Sequence, residues 1–233
     1  MATLILIETS TSVCSAALSR DGEILLNKEN FDGQSHSVLL GKFVKEIIDY
    51  VRENSIKIDG VAVSCGPGSY TGLRIGVSLS KGLCYGLDVP LIAINTLQTM
   101  ALSASKNSDI ENNALLCPMI DARRMEVYNC IYDANLNQVR ETQPEIIDEN
   151  SFSDILKEKK VYFFGNGAEK CKPFITHENA IFLDEVYPLA TSMIKLAEEA
   201  FSREDFADVA YFEPFYLKAA HVTMPKNQLT PNS

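Results

Sequence analysis

Apolar runs over residues 3–7 and 14–19, separated by a polar turn, predict two strands. Asp21-Gly22, a favoured tight-hairpin pair, predicts a turn into a third strand that ends near Leu26. Between residues 34 and 54 the apolar positions Leu40, Phe43, Val44, Ile47, Ile48 and Val51 recur at spacings of three and four. That is one face of an amphipathic helix, which Leu39 and Tyr50 broaden. Residues 58–64 end on Val61, Ala62 and Val63 and predict a buried strand; residues 71–87, carrying Leu73, Ile75, Val77, Leu79 and Leu83, predict an apolar helix. A strand at 90–94 and a short helix at 96–104 close this half.

The polar, acidic stretch 106–113 is the best candidate linker. Beyond it the opening arrangement recurs: a strand at 115–120, an acid at Asp121, a strand at 126–132, a turn at 133–137 and a third short strand. Glu8 and Asp121 hold matching places at strand ends, so duplicated strand, acidic turn, strand units predict two similar lobes, 1–105 and 114–219. A strand at 161–164, a Gly165-Asn166-Gly167 turn, a helix at 189–201 and a strand at 210–216 follow. The polar tail, 220–233, with its two prolines, is predicted to be disordered.

At 233 residues and 46% hydrophobic content the chain can bury a sizeable core. Its 21 Lys plus Arg against 31 Asp plus Glu give a formal net charge of -10. Phosphate neutralisation supplies most non-specific nucleic-acid affinity, so such a chain is a poor stand-alone RNA binder, and any RNA substrate needs a basic partner to hold it. The early apolar run is interrupted at Glu8, too soon for a signal peptide or a membrane span, so the expected location is cytoplasmic, away from membranes. Six scattered cysteines with no C-x-x-C pair argue against zinc and against a disulfide framework.

The densest chemical signal is Gly66 to Gly76, GPGSYTGLRIG, a glycine turn between a buried strand and a helix N-terminus. Such a turn permits close approach of a ligand or a second backbone, and the first unpaired N–H groups of the helix attract anions. It fails both common phosphate-loop patterns. Leu73 and Arg74 follow Gly72 where a P-loop needs Lys then Ser or Thr, and Thr71 stands where a dinucleotide loop needs glycine. Arg74, on the first helical turn, could grip phosphate or carboxylate bidentately. His36, His177 and His221 are unclustered, and no serine sits in a G-x-S-x-G elbow, so no metal centre and no hydrolase triad is read. Asp121 with Arg123 and Arg124 could form a fixed ion pair at a cleft.

In the helix after the glycine loop, Gly72, Gly76, Ser80 and Cys84 fall every fourth residue, and Ser78, Gly82 and Gly86 make a second small stripe. Helical glycine costs about 1 kcal/mol against alanine, which close helix-to-helix approach would offset. With Leu39, Phe43, Ile47 and Tyr50 of the preceding helix, Gly72, Gly76 and Ser80 are therefore the expected partner interface.

Gly66 to Gly76 resembles the signature of the TsaB (YeaZ) family nearly letter for letter, and the resemblance extends to Leu4 to Leu18 (LILIETSTSVCSAAL), Asp121 to Tyr128 (DARRMEVY) and Pro214 to Lys218 (PFYLK). The resemblance implies an α/β, two-lobed actin-like ATPase (ASKHA, ribonuclease H-like) fold with mixed sheets flanked by helices. It implies a non-catalytic scaffold and activator of a TsaD-like subunit that forms threonylcarbamoyladenosine in tRNA. A TsaE-like ATPase, a homodimer when the chain is isolated and only indirect contact with tRNA belong to the same implication. No cofactor is expected for the chain alone, with ATP or ADP at an interface shared with a partner. In related ATPases the acid and hydroxyls after the first strand hold metal-bound phosphate. Glu8, Thr9, Ser10 and Thr11 are thus either a polar strand-end turn or the remnant of such a loop, with Glu in place of the usual aspartate. Gly66, Gly68, Ser69, Thr71, Gly72, Arg74, Asp121 and Arg123 complete the nucleotide- or partner-facing set. The rival is an ATPase or small-molecule kinase of the same fold using Glu8 and the Gly66 to Gly76 loop; a peptidase-like hydrolase is least supported.

Overall fold

A computed structural model describes residues 2–33, 36–107 and 110–218; the predicted tail at 220–233 and His221 lie outside the described residues. Strands β1 (Thr3–Glu8), β2 (Cys14–Arg20) and β3 (Glu23–Asn30) form an antiparallel meander. Helix α1 (His36–Glu53) leads to β4 (Gly60–Gly66), which lies parallel to β1. Helix α2 (Tyr70–Leu87) then leads to β5 (Leu91–Asn95), parallel to β4, so the sheet order is β3-β2-β1-β4-β5.

The second sheet repeats this plan. After helix α3 (Thr96–Ala104), strands β6 (Leu115–Asp121), β7 (Glu126–Tyr132) and β8 (Gln138–Ile146) form a second antiparallel meander. Helix α4 (Ser153–Glu158) precedes β9 (Val161–Phe164), parallel to β6, and β10 (Ala180–Leu183) lies parallel to β9. Its order, β10-β9-β6-β7-β8, is the first sheet's order read from the other edge. The expected two-lobed fold with mixed sheets is therefore present as a duplicated topology.

Every residue of β1 is buried, because helices cover both faces of the first sheet. On one face, Leu40, Val44 and Ile47 of α1 and Val77 of α2 pack against Ile5, Ile7, Leu18, Val61 and Val63. On the other, Met193 of a 3-10 turn together with Ile194 and Ala197 of α5 (Ile194–Ser202) packs against Leu4, Leu6, Ala62 and Ile92. Helix α5 thus reaches back from the second half of the chain. In exchange, α3 packs Leu97, Met100 and Ala101 against Leu116, Ile120, Tyr162 and Phe164 of the second sheet. The outer face of that sheet is closed by Phe152 and Leu156 over Val127, Val161 and Phe163.

Four features depart from the sequence pattern. Helix α4 and strand β10 were not anticipated, being too short to show a period. The third strand of the second unit is nine residues long rather than short, and as a half-exposed edge strand it carries little apolar alternation. The expected helix at 189–201 becomes the 3-10 turn Thr191–Met193 followed by α5. The expected strand at 210–216 is irregular: Lys81 Nζ donates to the carbonyls of Ala210 at 3.0 Å and Phe212 at 3.1 Å, so a side chain replaces a strand partner.

The exchange makes each lobe dependent on the other. Residues 1–105 produced alone leave Leu4, Leu6 and Ile92 without α5, and the expected outcome is a fragment with helical far-ultraviolet dichroism, dye-binding apolar surface and no sharp urea transition. A cooperatively folded fragment would show that α5 is dispensable to the first lobe.

Candidate functional site

The turn after β1 is inside the protein. Glu8 is 0% exposed, and Thr9, Ser10 and Thr11 are buried with it. Glu8 Oε1 accepts the Ser10 amide at 2.5 Å, while Oε2 and the Ser10 hydroxyl have no hydrogen-bond partner among the described residues. Burial pushes the Glu8 pKa up; the nearby Ser10 and Ser64 hydroxyls and the Ser10 amide partly offset this by favouring the charged form. The acid is thus held beneath the loop it was expected to serve.

What covers it is the glycine loop. The Ser69 amide donates to the Ser10 carbonyl at 2.6 Å, and the Thr9 hydroxyl donates to the Gly72 carbonyl at 2.8 Å. Ser69 caps α2, its hydroxyl accepting the Gly72 amide at 3.2 Å. A Cβ on Gly72 would overlap the Thr9 carbonyl oxygen, and one on Gly68 the Ser10 carbonyl oxygen, so the glycines admit protein backbone. From the other side the Phe215 amide donates to the Cys65 carbonyl at 2.7 Å.

Asp121 ends β6 as Glu8 ends β1, but it is exposed. The expected pairing with Arg123 or Arg124 does not form. Asp121 pairs instead with Lys170, whose ammonium also donates to the carbonyls of Arg124 at 2.8 Å and Glu126 at 2.7 Å. Lys170 lies in a 3-10 turn, Glu169–Cys171, that carries no periodic signal. The Asp121 side chain accepts the Arg123 amide at 2.8 Å, and both arginines adopt left-handed backbone, φ +70° and +47°.

The motif blocks converge. Pro214 to Lys218 runs from the glycine loop, at Phe215, to the second lobe, where Lys218 pairs with Glu126; those four residues span at most about 10 Å. The Tyr216 ring lies 4.9 Å from that of Tyr70, and Arg74 Nη1 donates to the Tyr70 hydroxyl at 3.2 Å. Arg74 and Thr71 face solvent.

The expected interface needs correction. Gly72, Gly76 and Ser80 are buried against the protein's own first strand, where a Cβ on Gly76 would meet Thr9 and Ile7. Phe43 and Ile47, 9% and 0% exposed, belong to the core, whereas Leu39 and Tyr50 are partly open. The reason is that a small-residue stripe serves any close approach, and here it is the strand end that approaches. Ser78, Gly82 and Gly86 form the outward stripe, and a Cβ on Gly82 or Gly86 would meet nothing within 4 Å.

A family model for TsaD, tRNA N6-adenosine threonylcarbamoyltransferase, matches residues 30–225. The tRNA threonylcarbamoyladenosine biosynthesis protein TsaB of Escherichia coli is 30% identical over 225 residues, covering 92% of this chain and 94% of the relative. The TsaB protein of Haemophilus influenzae is 30% identical over 227 residues, 93% of each chain. Among solved structures, YeaZ from Pseudomonas aeruginosa superposes with a TM-score of 0.73 at 24% identity, covering 93% of this chain and 100% of that one. A second Pseudomonas aeruginosa protein, described as similar to peptidase YEAZ, gives a TM-score of 0.79 at 24% identity, covering 94% and 100%.

Two outcomes follow from the buried turn. Gly72→Ala should destabilise the chain by about 1–3 kcal/mol or more, because its methyl forces the Thr9 turn from α2; urea unfolding measures this. Glu8, with its folded pKa raised above the ordinary 4.5, binds more protons folded than unfolded, so it costs stability as pH rises past that value. The stability gap between Glu8→Gln and the parent chain should therefore move in favour of the variant between pH 4.5 and 7, and a gap independent of pH would mean that Glu8 is not held neutral.

Proposed function

This chain belongs to the TsaB (YeaZ) family of tRNA threonylcarbamoyladenosine biosynthesis proteins, and we propose that it acts as the non-catalytic scaffold and activator of a TsaD-like transferase subunit. The observation that carries this reading is the state of its own loop. The Glu8 to Thr11 turn is buried and bonded to the backbone of the glycine loop, so its hydroxyls and carboxylate have no open path to a phosphate. A kinase or ATPase using Glu8 would need that turn to open.

The same proposal takes in the other expected partners. A TsaE-like ATPase joins the assembly, the isolated chain pairs with a second copy, and ATP or ADP binds, if at all, where a partner completes the site. A chain of net charge -10 leaves most of the tRNA to the more basic subunit. Among the described residues no helix is long and apolar enough to cross a membrane.

The partner docks on the outward stripe of α2. Gly82 and Gly86 each weaken the helix by about 1 kcal/mol and a Cβ at either would meet nothing within 4 Å among the described residues, which leaves room for a closely approaching helix. Ile75, Leu79 and Leu83, partly buried beside them, extend the stripe with apolar surface.

Reconstitution tests the proposal. The TsaD-like subunit with a TsaE-like ATPase should modify tRNA only when this chain is added, whereas the chain alone should turn over ATP negligibly. Turnover of about 1 per second or more, in the range of ordinary enzymes and abolished by Glu8→Ala, would move the assignment to the kinase reading. Gly82→Leu should raise the stability of the isolated chain, by up to about 1 kcal/mol, while weakening its complex on the order of tenfold, about 1.4 kcal/mol. Sedimentation showing unchanged assembly would remove this stripe from the interface.

A further inference from the structure

The hairpin between β6 and β7 holds two residues in costly backbone. Arg123 and Arg124 are consecutive residues in the left-handed region, which glycine and asparagine adopt more readily than arginine does. Asp121 and Lys170 clamp this conformation from beneath. Both guanidinium groups are exposed, and among the described residues neither has a hydrogen-bond or ion-pair partner. The nearest carboxylates are spoken for: Asp121 pairs with Lys170 and Glu126 with Lys218. The two arginines are therefore surplus positive charge on an acidic protein, held in a fixed place.

They also end a continuous band. Arg74 lies over Tyr70 with its guanidinium carbon 5.5 Å from the ring centroid, Tyr70 meets Tyr216, and Tyr216 leads along the chain to Lys218. Lys170 donates to the carbonyls of Arg124 and Glu126, and Lys218 pairs with the Glu126 carboxylate, so the arginine turn adjoins the end of this segment. Cations thus alternate with aromatic rings across both lobes, and Tyr70 and Phe215 keep 40% and 43% of their surface open. Glu213, beside Tyr216, is the acid near this band with no ion pair among the described residues, and Arg74 acts on the same ring with the opposite sign.

We infer that this band docks single-stranded RNA, its phosphates on Arg123, Arg124 and Arg74 and its bases against the exposed Phe215 and the part of Tyr70 that Arg74 and Tyr216 leave open. Alternating cations and rings suit a nucleic-acid strand, which carries an anion and a flat π-face at every step; an acidic protein segment would use the cations and leave the rings idle. The inference rests on the tRNA-modification reading. It assigns this chain a local contact on RNA that the partner holds overall.

The test uses the full chain assembled with its TsaD-like partner and an unmodified tRNA transcript as probe. The double variant Arg123→Asn/Arg124→Asn keeps residues that tolerate left-handed backbone, so its melting temperature should equal or exceed that of the parent. Its tRNA affinity should fall on the order of tenfold. The slope of log affinity against log salt should shrink by about 1.4, at about 0.7 per lost phosphate contact. Arg123→Lys/Arg124→Lys should keep the slope, and Tyr70→Leu should weaken binding with the slope unchanged. Unaltered affinity and slope in the Asn variant overturn the inference. So does a loss confined to assembly, with tRNA binding by the preformed complex intact, since that marks a protein-docking surface. The modification rate of the unaltered chain separates the two levels: failure to activate the partner overturns the functional reading, whereas activation with an inert arginine pair overturns only this one.

Discussion

The contact on which the rest of this structure depends is backbone against backbone, where the turn after the first strand meets the first turn of α2. Thr9 and Ser10 exchange hydrogen bonds with Gly72 and Ser69 at a separation that leaves no room for a Cβ on Gly68 or Gly72. Backbone groups buried this way must be paired, and the reciprocal bonds pair them without water. The geometry also decides what the loop can do. In an open version the helix N-terminus and the acid would face a shared cavity; here the Thr9–Ser10 turn fills the space before the helix, and burial raises the pKa of the Glu8 carboxyl beneath it.

A second constraint follows from the first sheet having two apolar faces. With α1 and α2 on one face, the other must be covered by something, and the chain uses α5 from its far end. The second sheet takes α3 in return. The two lobes are consequently built as one cooperative body, and α3 touches the 3-10 turn that begins the returning helix. The segment after α5 continues over the surface, held by Lys81, Cys65 and Glu126 in succession, and it brings the four family motifs to one edge.

Charge is distributed to the same end. The chain carries a net charge of -10, yet around the β6–β7 turn lysines take up Asp121 and Glu126 and the two arginines remain over. Each exposed ion pair contributes little to stability by itself. Their effect is on position: Lys170 satisfies three acceptors beneath the Arg123–Arg124 turn and so fixes where the free guanidinium groups stand.

Much of this protein could be read from its residues in order. Periods of two and three to four located most strands and the long helices; the recurrence of Asp121 after a strand, as Glu8 follows one, exposed the duplication, and the glycine run with its neighbouring motifs pointed to the family. These signals are local, since hydrophobic spacing and turn chemistry act within a few residues. Elements such as α4 and β10, one turn or four residues long, fall below what a period can show. The small stripe of α2 was visible too, but Gly72, Gly76 and Ser80 looked like a partner's surface until the fold placed Thr9 against them. Likewise Asp121 stands beside Arg123 in sequence and chooses Lys170, a residue forty-nine positions away. Sequence determined which residues permit close approach or carry charge; tertiary structure decided what approaches them, because contact partners are set by how two sheets and their exchanged helices close upon one another.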